Sequence, residues 1–197
     1  MKTFIRLTIV IFLMGAANAF AAKYKPFTVE LKPPSGSDTE LEVVSGPQGI
    51  DNSGKENGWV GFDEGELGTI TFDLRGEGGG SDAKNQCHDS GPSAKWVITK
   101  IRLSDNGDTD TQKGLNFGNP QDEWLVHAFL GVDPATGVLY DVGKSEGTTS
   151  VAIFNMNDHP ASWGVKIAYY EVTASECDSS STKTATTDPG VGNRGKN

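Results

Sequence analysis

Residues 70–75 have the sequence ITFDLR, in which apolar and polar side chains alternate at every position. Successive side chains of a β-strand point to opposite faces, so Ile70, Phe72 and Leu74 share one apolar face. Residues 27–32, FTVELK, alternate in the same way. The two stretches therefore predict strands that bury one face against a core and expose the other.

Similar short stretches recur along the chain and predict further strands. In one of them Val97, Ile101 and Leu103 share a face that Thr99 interrupts. The longest of the late stretches runs over residues 162–173 and is expected to close the fold. Weaker strand candidates are residues 40–44, 58–62, 138–142 and 149–154.

Residues 124–132 differ from the others because they are apolar on both faces, which predicts a central strand. His127 lies within this stretch and is expected to be a hydrogen-bonded core residue. The sequence DPATG at residues 133–137 then supplies turn residues before alternation resumes at Val138. The two stretches together predict a β-hairpin.

The many short strands and the 25 glycines indicate an all-β protein. The predicted fold is a single antiparallel β-sandwich over residues 22–174, either immunoglobulin-like or jelly-roll-like. Two parts are expected to lie outside this scaffold. They are a long Gly-rich loop at residues 76–92 and a flexible polar C-terminal tail at residues 175–197.

Residues 1–21 predict a secretory signal peptide. Lys2 and Arg6 give a positive start, residues 7–17 form an apolar core too short to span a bilayer, and residues 19–21, AFA, form a cleavage site. We therefore expect the mature chain to begin at Ala22 and to be exported to the periplasm or the cell exterior. No membrane insertion is expected once the signal is removed.

The chain is acidic, with 26 Asp and Glu against 17 Lys and Arg and a net charge of −9 at pH 7. Loss of Lys2 and Arg6 with the signal makes the expected exported form more acidic still. Binding to nucleic acid or to anionic membranes depends on neutralising phosphate groups with cationic side chains. The charge argues against both, and leaves a protein or a glycan as the expected partner.

Cys87 and Cys177 are the only cysteines. Because an exported protein enters an oxidising compartment, the pair predicts a disulfide. This bond closes a loop of about ninety residues and constrains the unfolded chain. The alternative is a reactive or metal-binding thiol, although neither residue belongs to a Cys-x-x-Cys pair.

The C-terminal residues 187–193, TDPGVGN, follow the late strand that contains Tyr169 and Tyr170. This ending resembles the Asp-Pro-x-x-x-Asn terminus of small bacterial proteins of the DP-EP family. The Glu-Pro expected afterwards is replaced by GKN at residues 195–197. The resemblance implies a compact β-sandwich in a bacterial chain and supplies no functional residues.

Asp105, Asp108 and Asp110 place three carboxylates in one loop after a predicted strand. Calcium takes about six to eight oxygen ligands from such loops, so the three residues predict a candidate calcium site. The EF-hand pattern is not met, because the sixth position counted from Asp108 is Lys113 rather than Gly. The alternative is a solvated turn whose Asp side chains bond to nearby backbone groups.

Trp59 lies in a weak strand next to glycines and is the tryptophan expected to be most exposed. An exposed tryptophan can stack on a sugar ring or contact a protein partner, whereas core packing is the alternative. Asp63, Glu64 and Glu66 are candidates for a glycosidase carboxylate pair, or else they form an exposed acidic turn.

Two functions from different classes stay open. The first is a secreted, non-enzymatic β-sandwich that binds a partner or contributes to a surface assembly, and the scarcity of catalytic motifs favours it. The second is a calcium-dependent carbohydrate-binding or carbohydrate-active protein that uses loop carboxylates. Turnover of chromogenic glycosides or esters separates the two.

Overall fold

The computed structural model describes residues 23–35, 37–46, 58, 60–75, 86–87, 94–104, 125–158, 166–178, 180–187 and 190–193. More than half of these residues lie in strands, and the strands are arranged in two sheets that share one hydrophobic core. The strands are β1 (Lys23–Lys32), β2 (Glu42–Ser45), β3 (Val60–Phe62), β4 (Glu66–Leu74), β5 (Trp96–Ser104), β6 (Val138–Asp141), β7 (Ser150–Asn155), β8 (Lys166–Glu176), β9 (Thr184–Thr187) and β10 (Gly190–Asn193). The predicted all-β sandwich is therefore confirmed.

The first sheet has the strand order β2-β1-β4-β7. The second sheet has the order β3-β10-β8-β5-β6. Strand β9 also pairs with β8, at later residues of β8 than those that pair with β10. Most of the neighbouring strands are antiparallel, as predicted, but β1 pairs with β4 in parallel and β10 pairs with β3 in parallel. The parallel pairing of β1 and β4 matters for function because it decides which side chains meet on the outside of the first sheet.

The core lies where the inner faces of the two sheets meet. Along β4 the side chains alternate strictly between buried and partly exposed positions, and Ile70 and Phe72 are fully buried. The ring of Phe72 packs edge to face against Tyr170 of the opposite sheet, with their centroids 4.7 Å apart. The alternation in residues 70–75 therefore predicted the correct inner face.

A β-bulge at Thr99 changes the faces of β5. The pairing with β8 shifts register between Ile98 and Lys100, so one extra residue separates the two halves of the strand. Ile98 and Ile101 consequently both lie in the core. The prediction that placed Val97 on the same face as Ile101 was wrong, because it assumed an unbroken period of two.

The predicted central strand at residues 124–132 is not a strand where the structure describes it. Residues 125–128 form one helical turn, in which the Phe129 N–H donates to the Leu125 carbonyl over 2.9 Å. Leu125, Ala128 and Phe129 are fully buried, which is the i, i+3, i+4 spacing of a helix. Gly131, with φ of 82°, follows this turn in a conformation that favours glycine. A short run that is apolar on both faces fits a buried strand and a buried helical turn equally well.

The turn predicted at residues 133–137 is confirmed. The Gly137 N–H donates to the Asp133 carbonyl over 2.7 Å, and the Thr136 hydroxyl donates to the Asp133 carboxylate over 2.6 Å. The strand that follows, β6, pairs with β5 rather than with residues 124–132. The turn is therefore correct, while the predicted hairpin partner was wrong.

The tail predicted to be flexible contributes β9 and β10 to the second sheet. Ala185 and Val191 are buried in the core, so each strand contributes one small apolar side chain. Thr186 also exchanges backbone hydrogen bonds with residues 39–41, since Leu41 N–H donates to it over 2.8 Å. The polar composition concealed these strands, because backbone pairing with β8 supplies most of what holds them.

The predicted pairing of Cys87 with Cys177 is confirmed. The two residues form a disulfide with a Cα–Cα distance of 5.3 Å and a sequence separation of 90. The Cys177 N–H donates to the Lys95 carbonyl over 2.7 Å, just past the end of β8. The bond therefore links residues before β5 to the end of its neighbour in the second sheet.

Candidate functional site

Four of the predicted site residues lie outside the described part of the chain. They are Asp105, Asp108 and Asp110 of the candidate calcium loop, and Trp59. The calcium site and the ligand-binding role of Trp59 therefore stay predictions. Within the described residues, no group of three or more His, Cys, Asp or Glu side chains is placed to hold a metal ion.

Two other sequence candidates have structural surroundings. His127 is exposed, so its prediction as a core histidine was wrong, because the helical turn directs it away from the buried positions on either side. Trp96 is buried at 8% exposure, and the Lys183 ammonium lies 5.5 Å from its ring centroid. The core-packing alternative is therefore correct for this tryptophan. None of the described segments is a helix long and apolar enough to cross a membrane.

Glu66 is the candidate carboxylate that the structure buries, with 7% of its side chain exposed. The Lys25 ammonium lies 2.6 Å from its Oε2 atom, and the Lys23 ammonium lies 3.6 Å from Oε1. The Asp63 N–H also donates to Oε2 over 2.9 Å. Glu66 thus joins the start of β1 to the turn between β3 and β4.

The surroundings of Glu66 favour its ionised form. Burial by itself raises the pKa of this carboxyl. The hydrogen bonds from Lys25 and from the Asp63 backbone, together with the charges of Lys25 and Lys23, lower the pKa by more than burial raises it. The net effect is a pKa below the ordinary value of 4.5. The lowered pKa does not suit a general acid, and the two lysine contacts with the backbone hydrogen bond give Glu66 a structural role at the start of β1.

Two buried asparagines complete this end of the sandwich. The Asn157 side-chain amide donates to the Asp63 carbonyl over 2.8 Å, and the Asn157 N–H donates to the Asn155 side chain over 2.7 Å. Asn157 has a φ of 49°, a conformation that Asn tolerates better than most residues. The polar groups here fix the end of β7 to the β3–β4 turn.

We expect Glu66→Gln to lower the free energy of unfolding by about 2 kcal/mol at neutral pH, because a neutral amide loses the charge-assisted contacts. The folded-state pKa lies below the ordinary value, so this stability is present above about pH 4.5 and is lost as the pH falls through the folded-state pKa. Urea unfolding at a series of acidic pH values should show the wild-type advantage shrinking.

The matched control for this experiment is Glu64→Gln, because Glu64 is an exposed residue of the same turn. Its substitution should change stability by less than about 0.5 kcal/mol at any of these pH values. Equal effects of the two substitutions would contradict the assignment of Glu66 as the buried anchor.

The outer face of the first sheet carries a row of apolar and hydroxyl side chains. Pro26 pairs with Thr69, and Thr69 pairs with Phe154, so the three lie side by side on β1, β4 and β7. Leu130 extends the row, because its N–H donates to the Phe154 carbonyl over 3.1 Å. Three strand spacings of about 4.8 Å make the row about 14 Å long.

A second row runs beside the first. Thr28 of β1 pairs with Thr71 of β4, which pairs with Ala152 of β7. Tyr24 precedes Pro26 on the same face of β1, so it lies on the opposite side of the first row from Thr28. Its hydroxyl shares a hydrogen bond of 3.0 Å with the Thr69 hydroxyl. We call these two rows together with Tyr24 the outer patch, and none of its side chains is charged.

The outer patch contains the most exposed large apolar side chains of the described residues. Leu130 is 63% exposed and Tyr24 is 53% exposed, whereas the third exposed residue of this kind, Val44 on β2, is 38% exposed and lies outside the patch. Because Tyr24 and Leu130 lie on one uncharged surface, the outer patch is the candidate interaction site among the described residues.

Charged residues bound the outer patch on the side of Thr28 and Thr71. The next row contains Glu30 and Asp73, which are paired in the ladder between β1 and β4. The Arg75 guanidinium lies 2.8 Å from the Glu30 carboxylate and 3.4 Å from the Asp73 carboxylate. These ion pairs satisfy one another, so the charged border has little unpaired charge to offer a partner.

The sequence predicted which side chains face outward in this site, but not which strands lie next to one another. Alternation in residues 27–32 and 70–75 placed Thr28 and Thr71 on the outer face. Nothing in the sequence indicated that β1 and β4 are parallel neighbours, or that Leu130 lies beside β7. The outer patch depends on these two features.

Comparisons with protein-family models, with curated proteins and with solved structures find no match. The class that the structure defines is that of a disulfide-linked all-β sandwich, and the outer patch is its candidate site.

Proposed function

We propose that the protein is an exported, non-enzymatic β-sandwich that binds an external ligand through the outer patch. One observation carries the proposal, which is that Tyr24 and Leu130 are both more than half exposed and belong to one uncharged surface. Contact with a ligand would remove the exposed apolar surface of these two side chains from water, which is favourable.

The position of the patch supports a binding role. It lies on strands in the middle and at one side of a four-stranded sheet, so the backbone that presents it is held by ladder hydrogen bonds. A rigid surface loses little conformational entropy when a ligand binds. The anchoring of β1 at Glu66 holds the end of the strand from which Tyr24 projects.

The carboxylate chemistry also supports a non-enzymatic role. Glu66 is the one buried carboxylate of the described residues, and it is engaged by two lysines and a backbone amide. Asp133 and Asp178 each accept hydrogen bonds from their own turns, which hold the pKa of both carboxyls below its usual range. These groups act within the fold.

The proposal predicts that the double substitution Tyr24→Ala with Leu130→Ala frees the exported protein from its ligand. Sedimentation of freshly exported material from producing cells should find wild-type protein in a bound, fast-sedimenting fraction. In the double variant we expect this fraction to fall about tenfold, because a few anchor side chains, with tyrosine prominent among them, carry most of the binding energy of an interface.

Val44→Ala is the matched control, since it removes an exposed apolar side chain from the same sheet outside the patch. It should sediment like the wild type, and all three proteins should melt within a few degrees of one another. The proposal is wrong if wild type and double variant sediment identically, whether both are bound or both are free.

A further inference from the structure

We infer that the ligand of the outer patch is a neutral glycan, with the Tyr24 ring stacked on a sugar ring and threonine hydroxyls bonded to sugar hydroxyls. This inference rests on the proposed function and adds the chemical class of the ligand. Calcium takes no part in it, because the patch contains no carboxylate.

The orientation of the Tyr24 side chain suits stacking on a sugar ring. Its partner in the β1–β4 ladder is Leu67, yet its hydroxyl reaches Thr69, two residues further along β4. The ring therefore leans over the surface of the sheet instead of projecting into solvent, and it remains 53% exposed. A ring held by its hydroxyl and still half exposed is available for stacking on a sugar ring.

A pair of threonines lies beside this ring. Thr28 and Thr71 are cross-strand partners with outward-facing side chains. Among the described residues neither side-chain hydroxyl takes part in a hydrogen bond. A hydroxyl both donates and accepts hydrogen bonds, so the two side chains suit a ligand that is itself covered with hydroxyl groups.

The uncharged surface is small. Within the described residues it extends about 14 Å across the strands and about 13 Å along them, which gives roughly 200 Å². A stable protein interface buries about 800 Å² on each partner, so the patch is too small for a second copy of the chain or for most folded proteins. A stretch of a few rings within a longer glycan fits this area, and a longer glycan accounts for the expected fast-sedimenting fraction.

Charge separates neutral from anionic glycans. The patch itself is uncharged, the carboxylates on its border are paired with Arg75, and the chain carries a net charge of −9. An anionic glycan would be repelled by this field, whereas a neutral glycan would not. The available chemistry therefore favours neutral sugars.

The test is a titration of the full mature chain with soluble neutral oligosaccharides of β-linked glucose, of mannose and of N-acetylglucosamine, without calcium. Methyl signals of Leu130, Ala152 and Thr28 in an NMR spectrum report on the patch. We expect at least one oligosaccharide to shift these signals, and Tyr24→Ala to weaken its binding by about tenfold. Tyr24→Phe keeps the ring but loses the hydroxyl bond to Thr69 that holds it over the sheet, so its affinity should fall between those of the wild type and Tyr24→Ala. Val44→Ala should bind like the wild type.

The same experiment separates failure of the glycan assignment from failure of the proposed function. If no oligosaccharide shifts the patch, but the chain self-associates and Leu130→Glu abolishes the association, the ligand class is wrong and the patch is still a binding site. If no oligosaccharide binds and the chain is monomeric, the glycan inference is overturned, and the sedimentation experiment then decides the proposed function. Shifts confined to residues outside the patch would also overturn the inference.

Discussion

Tyr170→Ala is expected to lower the free energy of unfolding by about 4 kcal/mol, because it removes a large fully buried ring from between the two sheets. The Tyr170 ring packs edge to face on Phe72 of the first sheet. Its hydroxyl donates a hydrogen bond to the Gly58 carbonyl next to β3, and burial raises the pKa of this phenol far above its ordinary value. The side chain therefore joins both sheets and the β3 connection.

The matched variant is Tyr170→Phe, which keeps the ring and removes only the hydroxyl. We expect it to cost about 1 to 2 kcal/mol, since the Gly58 carbonyl loses its buried donor. Denaturant unfolding of both variants measures the difference. A cost below about 1 kcal/mol for Tyr170→Ala would contradict the packing of the two sheets around this residue.

Removal of the disulfide is the second large effect. Substitution of both Cys87 and Cys177 by Ala should lower the free energy of unfolding by about 4 kcal/mol, because the bond closes a loop of 90 residues in the unfolded chain. The Cys177 N–H bond to Lys95 and the Ala94 N–H bond to Gln86 already hold the backbone on both sides of the bridge. The folded state should therefore keep its structure.

Wild-type protein unfolded in the presence of reductant is the control, and it should match the double variant. Intact mass after alkylation should show two free thiols only in the reduced sample. Two free thiols in the untreated protein, or a stability loss below about 1 kcal/mol, would contradict the role given to this bond.

The sequence predicted the scaffold well where a strand has one buried and one exposed face. In β1, β4 and β7 buried and more exposed side chains alternate, so the order of apolar and polar residues identifies the buried face of each strand. The bulge at Thr99 broke this relation in β5, because a single extra residue exchanges the two faces. A local pattern contains no information about such a shift.

The missed elements have a different cause. β9 and β10 are short and polar, and what identifies them is their pairing with β8 and the burial of Ala185 and Val191. The helical turn at residues 125–128 was missed because its apolar residues fit two periodicities. Both are decided by tertiary contacts rather than by the local sequence.

The candidate site was the least predictable part, for a topological reason. Residues of β1, β4 and β7 are distant in sequence, and the parallel pairing of β1 with β4 sets which of them are neighbours. Leu130 joins them only because the chain after the helical turn bonds to the edge of β7. Sequence reasoning instead selected Trp59 and the Asp105 loop, which lie outside the described residues and stay predictions.

The central claim is that a ligand covers the outer patch. Hydroxyl-radical footprinting, performed on the protein in its native location and again on the purified chain, measures this directly. Oxidation of Tyr24 and Leu130 should be several-fold lower in the native location, while oxidation of Val44 should be unchanged. Equal oxidation of Tyr24 and Leu130 in the two samples would show that the patch is uncovered and would contradict the claim.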